Sequence, residues 1–194
     1  MKKYTKRQNE IIETAMKLIG DGGIQKLTLG NIADEIGVTE PAIYRHFESK
    51  TDILLGIMDK FDREVDGLFN RLEDMETGSR KKIEEFYNFH LNNFNRRPYM
   101  AAVLFAEDIF RNDRNLSKRV FKIMEKNQEN LLNIIKKGIA QGEIKKDINP
   151  RQAILILMGP LRLLVKKWQM SDYSFNLINR GENLFKDIAE LIKT

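Results

Sequence analysis

Between Ile36 and Pro41 the chain has four residues, Gly37-Val38-Thr39-Glu40, in which to end one helix and begin another. Upstream, Leu29, Ile32, Ala33 and Ile36 repeat at i, i+3, i+4 and i+7, the spacing of one face of a short helix. Thr28 offers that helix an N-cap and Gly37 stops it. Downstream, Thr39 is placed to cap a further helix, with Pro41 in its first turn, where a missing N–H costs nothing. Ile43 and Phe47, four apart, face inward from it. Two short helices joined so tightly must cross steeply, and Ala33 is small where they would cross. A strand or a single long helix is excluded over this stretch.

The remainder is helical in period as well. Ile11, Ile12, Ala15, Leu18 and Ile19 form one face of a first helix that ends at Asp21-Gly22-Gly23. Ser49 with Asp52 starts a long helix as a capping-box variant, and Leu54, Ile57, Phe61, Val65, Leu68 and Leu72 keep one stripe along it. Gly78-Ser79 interrupt the pattern. Five further helical segments follow: about 80–95, one opened by Pro98, about 114–140, one opened by Asn149-Pro150, and a last one within 171–193. Val and Thr are too sparse for sheets. The expected fold is all-α with about nine helices. Residues 1–49 form a three-helix head, 50–76 a connecting helix, and 77–194 a second domain.

Composition bounds function from the other side. The 194 residues include no Cys, which removes disulfides, thiolate metal sites and Cys nucleophiles, and suits a reducing cytosol. No apolar run is long enough to span a bilayer, and no secretory pattern opens the chain, so the expected location is cytoplasmic. Two histidines, His46 and His90, form no metal-ligand spacing or catalytic constellation, and no Gly-rich phosphate loop is present. No catalytic residue, metal or cofactor is expected, and an enzyme is disfavoured. The net charge of +5 and pI of about 9.3 invite a nucleic-acid reading. Yet residues 1–50 hold eight basic against seven acidic side chains, so placement rather than bulk charge must carry that reading.

Placement does carry it. A steep pair of short helices is the geometry of a helix-turn-helix, whose second helix enters the DNA major groove. With Ile32, Ala33, Ile36, Val38, Ile43 and Phe47 inward, the outward set is Thr39, Glu40, Ala42, Tyr44, Arg45 and His46. These can bond bases or phosphates, and Ala42 can touch a thymine methyl. Glu40 either avoids phosphate or selects a cytosine amine. Lys50, in the first turn of the long helix, is set as a phosphate clamp beside free N–H groups. Lys2, Lys3, Lys6 and Arg7 form a basic arm ahead of the first helix.

The stretch Leu27 to Leu54 resembles the DNA-binding domain of the tetracycline-repressor (TetR) family of bacterial regulators. Thr28, Ile32, Ala33, Gly37, Val38, Ile43, Tyr44, Phe47, Lys50 and Leu54 carry the likeness. The resemblance implies a homodimer on a near-palindromic double-stranded operator and a C-terminal domain that senses a small molecule. Repression relieved by that effector is the expected mode, with activation as the alternative. From another class, the alternative is a helical module that binds a membrane surface or a protein.

Two further expectations concern the second domain. Ile154 through Trp168 is apolar on all sides, which suggests burial on all sides and a subunit interface. Leu157, Leu161, Leu164 and Trp168 of this helix, with Leu177, Gly181, Leu184 and Ile188 of the last, are expected to meet a second copy. Pro160 should kink the helix or shift a local hydrogen bond. The aromatic and Met-rich middle segments point to an apolar cavity for an apolar or amphipathic effector. Its candidate lining is Phe94, Met100, Phe105, Glu107, Phe121, Met124 and Met158. Glu107 or Asp108 either meets a cationic group there or faces water.

Overall fold

A computed structural model describes residues 3–105 and 113–193. Among these residues there are nine α-helices and no strand, so the all-α expectation is met. They are α1 (Lys6–Gly22), α2 (Leu29–Ile36), α3 (Glu40–Tyr44), α4 (Lys50–Asp74), α5 (Ser79–Arg96), α6 (Tyr99–Leu104), α7 (Arg114–Ala140), α8 (Pro150–Met170) and α9 (Leu177–Ile192). A single turn of 3-10 helix, Ile24–Lys26, separates α1 from α2. An isolated antiparallel bridge pairs Ile144 with Lys193.

The chain forms two compact units that are discontinuous in sequence. The first takes the residues up to Glu64 together with Arg97–Lys122. The second takes Val65–Arg96 and the residues from Ile123 onward. Helices α4 and α7 contribute to both.

In the first unit the apolar faces read from the sequence form the core. Ile11, Ile12, Ala15 and Ile19 of α1, Ile32 and Ala33 of α2, and Ile43 and Phe47 are buried; Ile36 and Val38 are half-buried. Each buried Ile or Phe contributes about 1.5–3 kcal/mol through apolar area removed from water. That is ample to fix which side of these short helices faces in. Helix α1 begins earlier than the apolar spacing alone marks. Thr5 and Gln8 form a capping box, with Gln8 N–H donating to Thr5 Oγ1 (3.2 Å) and Thr5 N–H to Gln8 Oε1 (3.0 Å). Lys6 and Arg7 therefore lie in the first turn of α1, not in an arm ahead of it, and Arg7 pairs with Glu10 at 2.8 Å. Lys2 lies outside the described residues.

In the second unit α9 packs against both α5 and α8. Gly181 permits the approach to α5, because a Cβ built there would stand 2.3 Å from Leu91 Cδ2. The close approach expected of Gly181 is thus made within one chain. Phe86, His90 and Phe94 stack along one face of α5, with the buried His90 ring edge-on to Phe86 at 4.4 Å.

Within the single chain, helix α8 is buried on one side only. Ile154, Leu157, Leu161, Val165 and Trp168 are buried within the chain, while Leu155, Leu163 and Met170 on the opposite side are 65%, 62% and 77% exposed. The residues expected at a subunit interface mostly lie on the inward faces. Leu157, Leu161, Trp168, Leu177, Gly181 and Ile188 are buried in the single chain, and Leu164 and Leu184 are half-buried. A helix with no polar side gives no sign of which apolar side faces in; packing against α9 decides it. The helix runs through Pro160 without interruption. What Pro160 removes is the N–H for the Ile156 carbonyl, on the side where Ile156 and Gly159 are exposed.

Candidate nucleic-acid interface

The turn after α2 is set by Gly37, whose φ of 75° and ψ of 38° lie in the left-handed region. Val38 N–H reaches back to the Ala33 carbonyl (2.9 Å) and Gly37 N–H to that of Asp34 (3.2 Å), closing the end of α2. At the other end Thr28 Oγ1 accepts from Asn31 N–H at 3.0 Å, as an N-cap does. Thr28 is therefore committed to starting α2.

Thr39 behaves differently from the expectation. It precedes α3 with extended backbone, but its side chain makes no cap bond. Two neighbours explain this. An N-cap oxygen accepts from the second or third helical N–H. The second position is Pro41, which has none, and the third, Ala42, donates to the Thr39 carbonyl at 2.9 Å. The exposed Thr39 hydroxyl is left uncommitted to the helix.

Helix α3 is one turn long, and Arg45 continues it in α geometry before Phe47 turns inward. Tyr44 is 51% exposed, and Glu40 and Arg45 are also exposed; Ala42 and His46 are half-buried. Thr39, Glu40, Ala42, Tyr44 and Arg45 thus share a short segment whose inward side is held by Ile43 and Phe47. The Glu40 carboxylate leans over α2, 3.5 Å from where a Cβ on Gly30 would stand. The His46 carbonyl accepts from Gln8 Nε2 at 3.1 Å, which ties the start of α1 to the end of the reading segment.

Lys50 heads α4, where Ser49 Oγ accepts from Asp52 N–H (3.2 Å) and donates to the Asp52 carboxylate (2.9 Å). Its Nζ donates to the Ile24 carbonyl at 3.2 Å, and partial burial lowers the ammonium pKa from the ordinary lysine value. Lys50 is therefore anchored to the 3-10 turn, with its remaining donors at the head of α4. Lys6 is exposed on α1, two residues from the Gln8 tie.

The side chains that sequence reasoning missed are Gln8 and Tyr4. The Thr5-x-x-Gln8 spacing signals a capping box; no local pattern signals the bond to His46.

The seven residues expected around an effector are distributed between the units. Met100, Phe105 and Phe121 fall in the first, and Phe94, Met124 and Met158 in the second. Phe94 and Met100 are buried, Phe105 and Met158 half-buried, Phe121 and Met124 exposed. Glu107 and Asp108 lie outside the described residues. Within the second unit a cleft of about 280 Å³ between α5 and α9 is floored by Ile83, Phe185, Ala189 and Ile192 and rimmed by charged side chains. None of the six described residues of the set lines it. Among the described residues no His, Asp and Glu cluster is arranged to hold a metal, and no helix is long and apolar enough to cross a membrane.

Residues 11–57 match the family model of the bacterial regulatory proteins of the tetR family, and residues 57–191 match that of the YsiA-like protein C-terminal region. The chain is 23% identical over 182 residues to the fatty acid metabolism regulator protein of Bacillus subtilis strain 168, covering 92% of this chain and 91% of that one. It is 22% identical over 174 residues to the nucleoid occlusion factor SlmA of Vibrio campbellii, 89% of each. Among solved structures, the fatty acid degradation regulator FadR of Bacillus halodurans superposes with a TM-score of 0.84 at 21% identity, covering 97% of both chains. FadR of Bacillus subtilis in complex with stearoyl-CoA superposes with a TM-score of 0.79 at 21% identity, covering 95% of this chain and 98% of that one. The Bacillus proteins among these carry the names of regulators. With a helix-turn-helix that presents Tyr44 and Arg45, and with family matches that together run from residue 11 to 191, the chain belongs to the TetR family of DNA-binding transcription regulators.

Proposed function

We propose that the protein is a repressor released from a near-palindromic operator by an amphipathic effector with a long apolar chain, of the acyl-thioester class. Residues 1–49 read the DNA, 50–76 connect, and 77–194 sense the effector and dimerise. The observation that carries the reading is the match of residues 57–191 to the YsiA-like C-terminal region, supported by a relative of nearly equal length that holds stearoyl-CoA. Homodimerisation is supported by the exposed apolar side of α8, where Leu155, Ile156, Leu163 and Met170 recur along one face. Large apolar side chains grouped on an exposed helix face mark an interaction surface. A two-fold dimer places its reading segments in successive major grooves, about 34 Å apart.

Release requires the effector to prefer the arrangement that cannot read DNA. A 100-fold fall in operator affinity corresponds to a preference of about 2.7 kcal/mol. The test begins with fragments of the source genome selected by the full-length protein. The tightest of them is then titrated with and without stearoyl-CoA, coenzyme A alone and stearate alone. Stearoyl-CoA is expected to raise the dissociation constant at least tenfold while coenzyme A alone does not. Unchanged affinity at saturating stearoyl-CoA rules out the acyl-thioester class, and tightened binding with raised transcription indicates an activator.

A further inference from the structure

We infer that Tyr4, Asp59 and Arg119 are positioning residues for DNA reading: Asp59 joins the segment ahead of α1 to α7, and Tyr4 passes that constraint to the reading segment through Phe47. The inference rests on DNA binding alone and not on the identity of any effector. Asp59, on α4, uses its two carboxylate oxygens in opposite directions. Oδ2 accepts from the Tyr4 hydroxyl at 2.8 Å, and Oδ1 accepts from Arg119 Nε at 2.8 Å. Arg119 also donates from Nη2 to Asp62 at 2.8 Å, and Asp62 is almost wholly buried. A guanidinium fork held by two carboxylates has little freedom to turn, so the Asp59 oxygen offered to Tyr4 is fixed in direction.

Tyr4 lies outside the helix-turn-helix, yet its ring stacks on Phe47 with centroids 6.3 Å apart and planes 28° apart. The Arg63 guanidinium stands 5.6 Å from the centre of the Tyr4 ring. Phe47 closes the reading segment from inside, directly after Tyr44, Arg45 and His46. The Gln8 bond to the His46 carbonyl supplies a second tie from the same short stretch. Residues 4–8 therefore hold residues 46–47, and Asp59 holds the Tyr4 hydroxyl. Burial, then the bond to Asp59, keeps the Tyr4 hydroxyl protonated far above the ordinary tyrosine range, so it remains a donor at every working pH. All these groups belong to the first unit.

Positioning predicts a different signature from simple support of the fold. Non-specific binding uses phosphate contacts that tolerate small rotations of the reading segment, whereas base contacts do not. The experiment compares the full-length protein with Tyr4→Phe, Asp59→Asn and the double variant. The probes are a duplex enriched from random-sequence DNA by the unaltered protein and a shuffled duplex of equal length. Tyr4→Phe keeps the ring on Phe47 and removes only the hydroxyl. It is expected to weaken the enriched duplex by about tenfold, the scale of one mismatched base pair, and to leave the shuffled duplex within twofold. Asp59→Asn leaves one oxygen for two donors and should lose a similar factor, with Tyr4→Phe adding nothing further to it. Equal losses on both duplexes, no loss on either, or multiplying losses in the double variant would overturn the inference. So would a Tyr4→Phe protein whose discrimination between the duplexes equals that of the unaltered chain.

Discussion

Gly37 owes its place to backbone geometry alone. Its φ of 75° suits glycine, and nothing lies within 4 Å of where a Cβ would stand. Gly37→Ala should therefore cost about 1 kcal/mol without any clash, lowering the melting temperature by roughly 2–4 °C. Gly37→Asn should recover much of that, because asparagine tolerates the left-handed region; a calorimetric scan of the three proteins checks the order. His90 supplies a second prediction. Burial among the rings of Phe86, Phe89 and Phe94 pushes its pKa down to about 4, against about 6.5 in an unfolded chain. Between those values the folded protein binds fewer protons than the unfolded one, so stability falls as pH drops through that window. The loss from His90 is roughly 3 kcal/mol by pH 4. The urea midpoint should decline over that interval, and His90→Leu should flatten the decline. The glycine was legible from its position between two periodic runs; the sequence left His90 open between a packed and a half-exposed helix position. Thr39 holds the N-cap position of α3 as read, but its side chain makes no cap bond, because Pro41 has no N–H and that of Ala42 goes to the Thr39 carbonyl.

Helix boundaries were legible where caps and period agreed. Asn149-Pro150 opens α8 with a side-chain oxygen bonded to the first turn, and α7 spans the expected 114–140, whereas the last helix, placed only within 171–193, starts at Leu177 on a cap, Asn176, that was not read. The side of α8 that faces in was not legible, since leucines and isoleucines surround it. An all-apolar helix is oriented by neighbours that local sequence does not name. Gly181 shows the same limit: it is expected from its spacing to meet a second copy, whereas Leu91 of the same chain stands against it. Because Leu91 fills it, Gly181→Ala should overpack the α5–α9 contact and cost about 1–3 kcal/mol. Chemical denaturation of the purified variant measures this directly. A loss of that size that appears even at high dilution places the contact within one chain.

At the scale of the whole molecule the outward side of α8 is the surface proposed to meet a second copy. If a second copy covers it, Leu155→Arg with Leu163→Arg should convert a species of twice 22.7 kDa into one of 22.7 kDa by sedimentation, with little change in helicity. Operator affinity should fall with it, since one reading segment then binds without its partner. The discontinuity of the two units has a consequence for biosynthesis. The first unit needs Arg97–Lys122 as well as the residues before Val65, and the Asp59–Arg119 pair is one of the bonds that waits for them. A ribosome adding about 5–20 residues per second leaves the nascent reading head without its last helices for several seconds after Glu64 is made. During that interval Arg119 is not yet opposite Asp59 and Asp62, and α1 lacks its contact with α6. Slower translation of the intervening segment would lengthen that exposure, so the yield of folded protein should depend on codon choice between residues 65 and 122.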